Sequence, residues 1–155
     1  MPGRIAEGHE SESERMNDID HQDRNLQTEL HYAAASNGTD IERVTQLVSQ
    51  GANLELRDID GATPLLLAAQ YRDSEAIVRA LLAAGADPAV LDIMNRSALM
   101  HAVWRGKSVP VASLLLDAGC DPYQVDDSGY SPVKAVMEFG RPDLKELFRA
   151  RNLIG

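Results

Sequence analysis

Basic residues are scarce in this chain: 15 Lys and Arg stand against 24 Asp and Glu, a formal charge of −9 over 155 residues. Binding to a phosphate backbone needs clustered cations, so nucleic acid is not expected as a partner. The same imbalance makes a partner with a basic surface the electrostatic match. Cysteine occurs once, at Cys120, which excludes an internal disulfide framework and any CxxC metal or redox site. No apolar run approaches the roughly 20 residues that cross a bilayer. The N-terminus also lacks the apolar core of a signal peptide. A cytoplasmic protein without membrane contact is the expectation. Aromatics make up only 5% of the residues, so any place where they gather is informative.

What is present is repetition. Thr28-Glu29-Leu30-His31-Tyr32-Ala33-Ala34 is followed by Thr63-Pro64-Leu65-Leu66-Leu67-Ala68-Ala69, then by segments beginning at Ser97 and Ser131, at spacings of 35, 34 and 34. A second marker keeps step, since Gly51-Ala52-Asn53, Gly85-Ala86-Asp87 and Gly119-Cys120-Asp121 lie 34 and 34 apart. Self-similarity at this period means stacked units, each unable to bury its apolar face alone. From each Gly marker to the next Thr or Ser the spacing is constant at 12, whereas the other half of the unit varies between 23 and 22. The constant half is read as the rigid joint, and the variable half as containing the tolerant turn.

Local chemistry predicts a helix–turn–helix–hairpin unit. Thr63 and Ser131 are suited to N-caps, with Pro64 and Pro132 at a first helical position whose N–H has no intrahelical partner. Leu65, Leu66 and Leu67 with Ala68 and Ala69 make a short helix apolar nearly all round. Ile77, Val78, Leu81 and Leu82, matched by Val111, Leu114 and Leu115, give a second helix at i, i+3, i+4 spacing. Gly85 and Gly119 sit where a helix ends in a left-handed residue. Asp60-Gly61 and Ser128-Gly129 are turn dipeptides at hairpin tips, with Asn95 replacing the glycine in the third copy. Residues 1–22, polar and acidic around Glu10-Ser11-Glu12-Ser13-Glu14, read as a flexible tail.

Together these marks resemble ankyrin repeats, whose signature is T-P-L-H-x-A at a period near 33. The resemblance spans about Asp23 to Phe148. It implies a mainly α solenoid of stacked helix–turn–helix units joined by short β-hairpin loops, with repeats at about 23–57, 58–91, 92–125 and 126–155. Only His31 keeps the signature histidine, with Leu66, Met100 and Lys134 in its place elsewhere. The first repeat has Leu26 where the hairpin glycine belongs, so its own hairpin is expected to be incomplete. Lys134, Lys145, Glu146, Arg149 and Arg151 make the last repeat a polar cap of the kind solenoids need.

Signals for chemistry are weak. The histidines, His9, His21, His31 and His101, form no His-x-x-x-His pair or Cys/His cluster, and the glycines form no phosphate-cradling loop. No metal, cofactor, small-molecule substrate or catalytic residue is therefore expected. Asp58, Asp92 and Asp126 recur at one repeat position and are read as hairpin hydrogen-bonding groups, and Cys120 as a buried small residue. His101, beside Trp104 and Arg105, is either a functional imidazole in a groove or a core or ledge residue without chemistry.

In the resembled family, hairpin tips and first helices form the recognition surface. By position this implies Ile59, Asp60, Ala62, Ile93, Met94, Arg96, Asp127, Ser128 and Tyr130 on the hairpins. It implies Gln70, Tyr71, Trp104, Arg105, Glu138 and Phe139 just beyond the small pairs of the first helices. Tyr71, Trp104, Tyr130 and Phe139 bring most of the chain's few aromatics into this set. Aromatic, Met and Arg enrichment is the composition of interface cores. The expectation is a non-enzymatic module that binds another protein through Ile59, Asp60, Tyr71, Ile93, Met94, Arg96, Trp104, Arg105, Tyr130 and Phe139, as a scaffold or adaptor. The alternative is an inhibitor or immunity-type protein that occludes a site on a basic partner.

Overall fold

The computed structural model describes residues 18–106 and 108–155. Each repeat contributes two antiparallel helices. They are α1 (Glu29–Ala34) and α2 (Ile41–Ser49), α3 (Pro64–Ala68) and α4 (Glu75–Ala83), α5 (Ala98–His101) and α6 (Val109–Asp117), and α7 (Pro132–Phe139) and α8 (Pro142–Ala150). The odd-numbered helices stack on one another in order, and so do the even-numbered ones, giving two helical layers. The helical solenoid is as expected, and among the described residues no segment is a β-strand.

The starts and stops follow the sequence chemistry. Thr28, Thr63, Ser97 and Ser131 each accept a hydrogen bond from the N–H three residues on, and Pro64 and Pro132 open their helices. At the other end, Gly51, Gly85 and Gly119 have positive φ. The N–H after each reaches back to Leu47, Leu81 or Leu115, the six-to-one closure of a Schellman end. Asn152, at φ 58, does the same for α8, with Leu153 bonded to Phe148. The interior is a ladder in two rows. Leu30, Leu65 and Leu99 lie beneath the first helices, and Leu47, Leu81, Leu115 and Phe148 beneath the second, all buried. Each such side chain contributes about 1.5–3 kcal/mol by leaving water.

The hairpins carry the repeat's most regular hydrogen bonding. In each, one Asp Oδ1 accepts two backbone N–H groups: Asp23 from Asn25 and Gln27, Asp58 from Asp60 and Ala62, Asp92 from Met94 and Arg96, and Asp126 from Ser128 and Tyr130. Neighbouring tips are joined by backbone bonds, Ile59 to the Asn25 carbonyl, Ile93 to Asp60 and Asp127 to Met94, at 3.0–3.1 Å.

Three expectations change here. The first hairpin is complete, because Leu26 takes the left-handed conformation at φ 58 and its N–H bonds to Asp23. Of the expected tail, residues 1–17 lie outside the described residues, whereas Ile19, Asp20 and Gln22 are tied to the first repeat and its neighbouring hairpin. Ile19 lies against the core, Asp20 accepts the Asn53 N–H at 2.8 Å, and Gln22 donates to the Leu26 and Arg57 carbonyls. The turn in the variable half is also less tolerant than its length variation suggests. Gly38, at φ +89, lies so close to the second repeat that a Cβ there would sit 2.1 Å from the Asp73 carbonyl oxygen. Gly38→Ala must therefore strain the backbone and push the repeats apart. Urea unfolding should show a loss of at least about 2 kcal/mol, against tenths for Ala substitution at an exposed site.

His31 ties the first two repeats. Its Nδ1 accepts the Thr28 N–H at 3.0 Å, which leaves the Nε2 proton to donate to the Ala62 carbonyl at 3.1 Å. Burial disfavours the imidazolium and holds the His31 pKa below its ordinary value of 6.5. The unfolded chain takes up a proton near 6.5 that the folded chain resists. This contribution is present above that pH and is lost as pH falls through it towards the folded value. Stability should therefore decline on acidification below about 6.5. In His31→Leu, which places here the residue type the second repeat has at Leu66, that part of the slope should vanish in denaturation curves taken from pH 7 to 5.

Candidate functional site

Apolar side chains gather on the surface at the joint between the third and fourth repeats. After α5 the helix widens into a π-helical stretch, Ala102–Gly106, and Trp104 and Arg105 stand on it. Such widened turns recur at functional sites. Opposite them the fourth hairpin presents Tyr130, and α7 ends in Phe139. The three rings form one cluster. Trp104 lies 5.6 Å from Tyr130 and 5.4 Å from Phe139, the latter edge-on at 81°, and Tyr130 lies 5.9 Å from Phe139. Pairs at these separations and tilts attract beyond their burial. Even so, Trp104 remains 46% exposed and Phe139 59% exposed.

The cluster borders a groove of about 290 Å³ lined by Met94, Arg96, Met100, His101, Trp104, Arg105, Asp126, Ser128 and Tyr130. A second recess of about 340 Å³ lies on the other side of Trp104, between Val103, Ala135 and Phe139. Six of the ten residues picked out from the sequence thus meet at one place: Met94, Arg96, Trp104, Arg105, Tyr130 and Phe139. The other four line neither recess. Ile59, Asp60 and Ile93 are exposed at the second and third tips, where Ile93 packs across Gly61. Tyr71 is half-buried in the turn three residues beyond the second repeat's first helix.

Beneath the groove lies a buried polar network that the sequence reading missed. His101 Nε2 and Arg96 Nε both donate to Asp92 Oδ2, at 2.9 and 3.0 Å, while Asp92 Oδ1 holds the Met94 and Arg96 N–H groups. His101 is 3% exposed at its side chain and also lines the groove floor, where its ring is spent on Asp92. Burial alone would raise the Asp92 pKa, but the His101 bond and the two backbone N–H groups outweigh it and lower the value from 3.8 to about 2. The only advance signal was the recurrence of Asp at this position, because the partner nine residues on is brought back by the hairpin. Cys120 is buried as expected. Burial pushes its thiol up to about 11, and its Sγ donates to the Pro88 carbonyl. The recurring Asp residues serve the hairpins, and among the described residues no three His, Cys, Asp or Glu side chains are placed to hold a metal ion. Among the same residues no helix is long and apolar enough to cross a membrane.

The model of the family described as ankyrin repeats (3 copies) matches residues 13–92 and 30–126, most of the chain. The chain belongs to the ankyrin-repeat family. Among curated proteins it is similar to inversin from Homo sapiens and from Canis lupus familiaris, each 37% identical over 67 residues. Inversin from Mus musculus is 36% identical over the same length. These matches cover 42% of this chain but only 6% of each relative's length, so the likeness is one of repeats. Ankyrin repeats are in general protein–protein interaction modules, and the exposed aromatic cluster of this ankyrin chain has the composition of an interface core.

The lowered Asp92 pKa predicts the acid limit of the groove. A carboxyl held down in the folded chain stabilises it above the unfolded value near 3.9 and loses that contribution as pH falls towards about 2. Asp92→Asn should remove about 2 kcal/mol of stability at pH 7 and flatten the stability profile between pH 4 and 2. Chemical denaturation across that range checks both.

Proposed function

We propose that this ankyrin chain is a non-catalytic scaffold or adaptor that holds a partner protein against its first helices and hairpin tips, in the cytoplasm. The observation that carries the reading is the exposed triad of Trp104, Tyr130 and Phe139, flanked by Met94, Arg96 and Arg105. Large aromatic and methionine surfaces left in water next to a groove are costly unless a partner covers them. Tryptophan, tyrosine and arginine are also the residue types that dominate binding energy in such patches. Ile59, Asp60, Tyr71 and Ile93 extend the same surface towards the second repeat as a weaker margin. The mechanism is preorganisation: the backbone N–H groups of Met94, Arg96 and Tyr130 are fixed by carboxylates, so the surface orders little on binding.

The test is capture from source-cell lysate on immobilised chain, followed by affinity measurement on what is captured. Trp104→Ala with Phe139→Ala should leave the helical circular dichroism unchanged, since both side chains are exposed, and weaken partner binding by more than about 2 kcal/mol. A correctly folded double variant that binds undiminished would overturn the reading.

A further inference from the structure

The turn at the joint of the first two repeats holds a reactive pair. Asn37 is the only asparagine of the chain followed by glycine, and it is exposed on that turn. Asparagine is thermolabile because the backbone nitrogen of the next residue can attack its side-chain amide, and the reaction depends on how open that nitrogen is. At Asn25, Asn95 and Asn152 the next N–H is engaged: Leu26 donates to the Asp23 carbonyl, Arg96 to Asp92 Oδ1 and Leu153 to the Phe148 carbonyl, at 2.9–3.0 Å. Each of those nitrogens is also screened by its own side chain. Gly61, which follows Asp60, likewise donates to the Asp58 carbonyl at 2.9 Å. The Gly38 N–H makes no hydrogen bond among the described residues, and glycine has no Cβ to shield it. The amide beside it is polarised, since Asn37 Oδ1 accepts the Asp73 N–H at 3.1 Å.

We infer that Asn37 is a site of spontaneous deamidation that loosens the first joint of the solenoid. The Gly38 nitrogen bonds to Asn37 Cγ, the Cγ–Nδ2 bond breaks, and the displaced nitrogen leaves as ammonia with the Gly38 amide proton. Water then opens the cyclic imide. Cleavage of the new bond leaves aspartate, and cleavage of the original peptide bond leaves isoaspartate; nothing is oxidised or reduced. Either product acts on a contact already present. Asn37 Nδ2 donates to Asp73 Oδ2 at 3.5 Å, and an oxygen in its place sets two carboxylates against each other. Isoaspartate also adds a carbon to the main chain beside Gly38, where a Cβ would already sit 2.1 Å from the Asp73 carbonyl oxygen. A joint without room for a methyl group has none for a longer backbone. The change is one-way, so the first joint loosens with age, and the later joints, which carry no Asn-Gly pair, do not.

The experiment ages the full chain in mildly alkaline buffer at physiological temperature and maps it with trypsin and mass spectrometry, Asn37 lying in the peptide Asn25–Arg43. The exchange of NH2 for OH should accumulate at Asn37 severalfold faster than at Asn25, Asn53, Asn95 or Asn152, as a mixture of aspartate and isoaspartate. Aged chain, separated by its added negative charge, should unfold at lower urea than fresh chain, whereas Asn37→Ser should unfold alike before and after ageing. Asn37→Asp should reproduce part of the loss, and added salt should recover that part, which a lost hydrogen bond alone would not do. Conversion at Asn37 no faster than at Asn53 in the folded chain overturns the inference. Aged wild-type chain that unfolds together with fresh chain overturns the loosening.

Discussion

A single carboxylate oxygen that accepts two backbone N–H groups is the contact on which the solenoid depends. Asp23, Asp58, Asp92 and Asp126 each close a hairpin in this way. A tight loop without strand pairing leaves backbone donors that would otherwise be unsatisfied. With the donors held, each tip presents one free N–H and one free carbonyl to its neighbours, and the three tip-to-tip bonds follow. Those bonds set the register of the units, and register brings leucine over leucine in the core. Ionised acceptors make stronger bonds than neutral ones, which accounts for Asp where Asn would fit the same turn.

The same clamps shape the candidate site. The donors that Asp92 and Asp126 hold belong to Met94, Arg96, Ser128 and Tyr130, and all four line the groove. Candidate site and structural clamp are therefore one loop read from two sides. At the third repeat the clamp is reinforced by His101 and Arg96 on the second carboxylate oxygen. That is also where the first helix widens and carries Trp104 outward. Asp23 and Asp58 each receive one side-chain donor on the second oxygen, from Tyr32 and Gln27, whereas Asp92 receives two.

Legibility in the sequence differed between groups of residues for a physical reason. The caps Thr63 and Ser131 and the ends at Gly85 and Gly119 could be read because each acts on a backbone group within a few residues. The first hairpin was misjudged through Leu26, since a non-glycine at positive φ is tolerated only where surrounding bonds over-determine it. Gly38 was passed over because its constraint comes from Asp73, in the next repeat. Of the site residues, Trp104, Tyr130 and Phe139 were picked out by family position, but their mutual contact was not. The same positions in the second repeat, Ile59, Asp60 and Tyr71, looked equivalent and do not join the cluster.

The sequence by itself determined the repeat, its period, several helix starts and stops and the hairpin role of the recurring aspartates, because all of these are local and are written several times over. Only the tertiary structure decided that one joint of the solenoid gathers the aromatics and that His101 and Arg96 share Asp92. Those outcomes depend on distances between residues far apart in the chain. A repeating sequence makes its units similar, but the few positions where they differ act on each other through space.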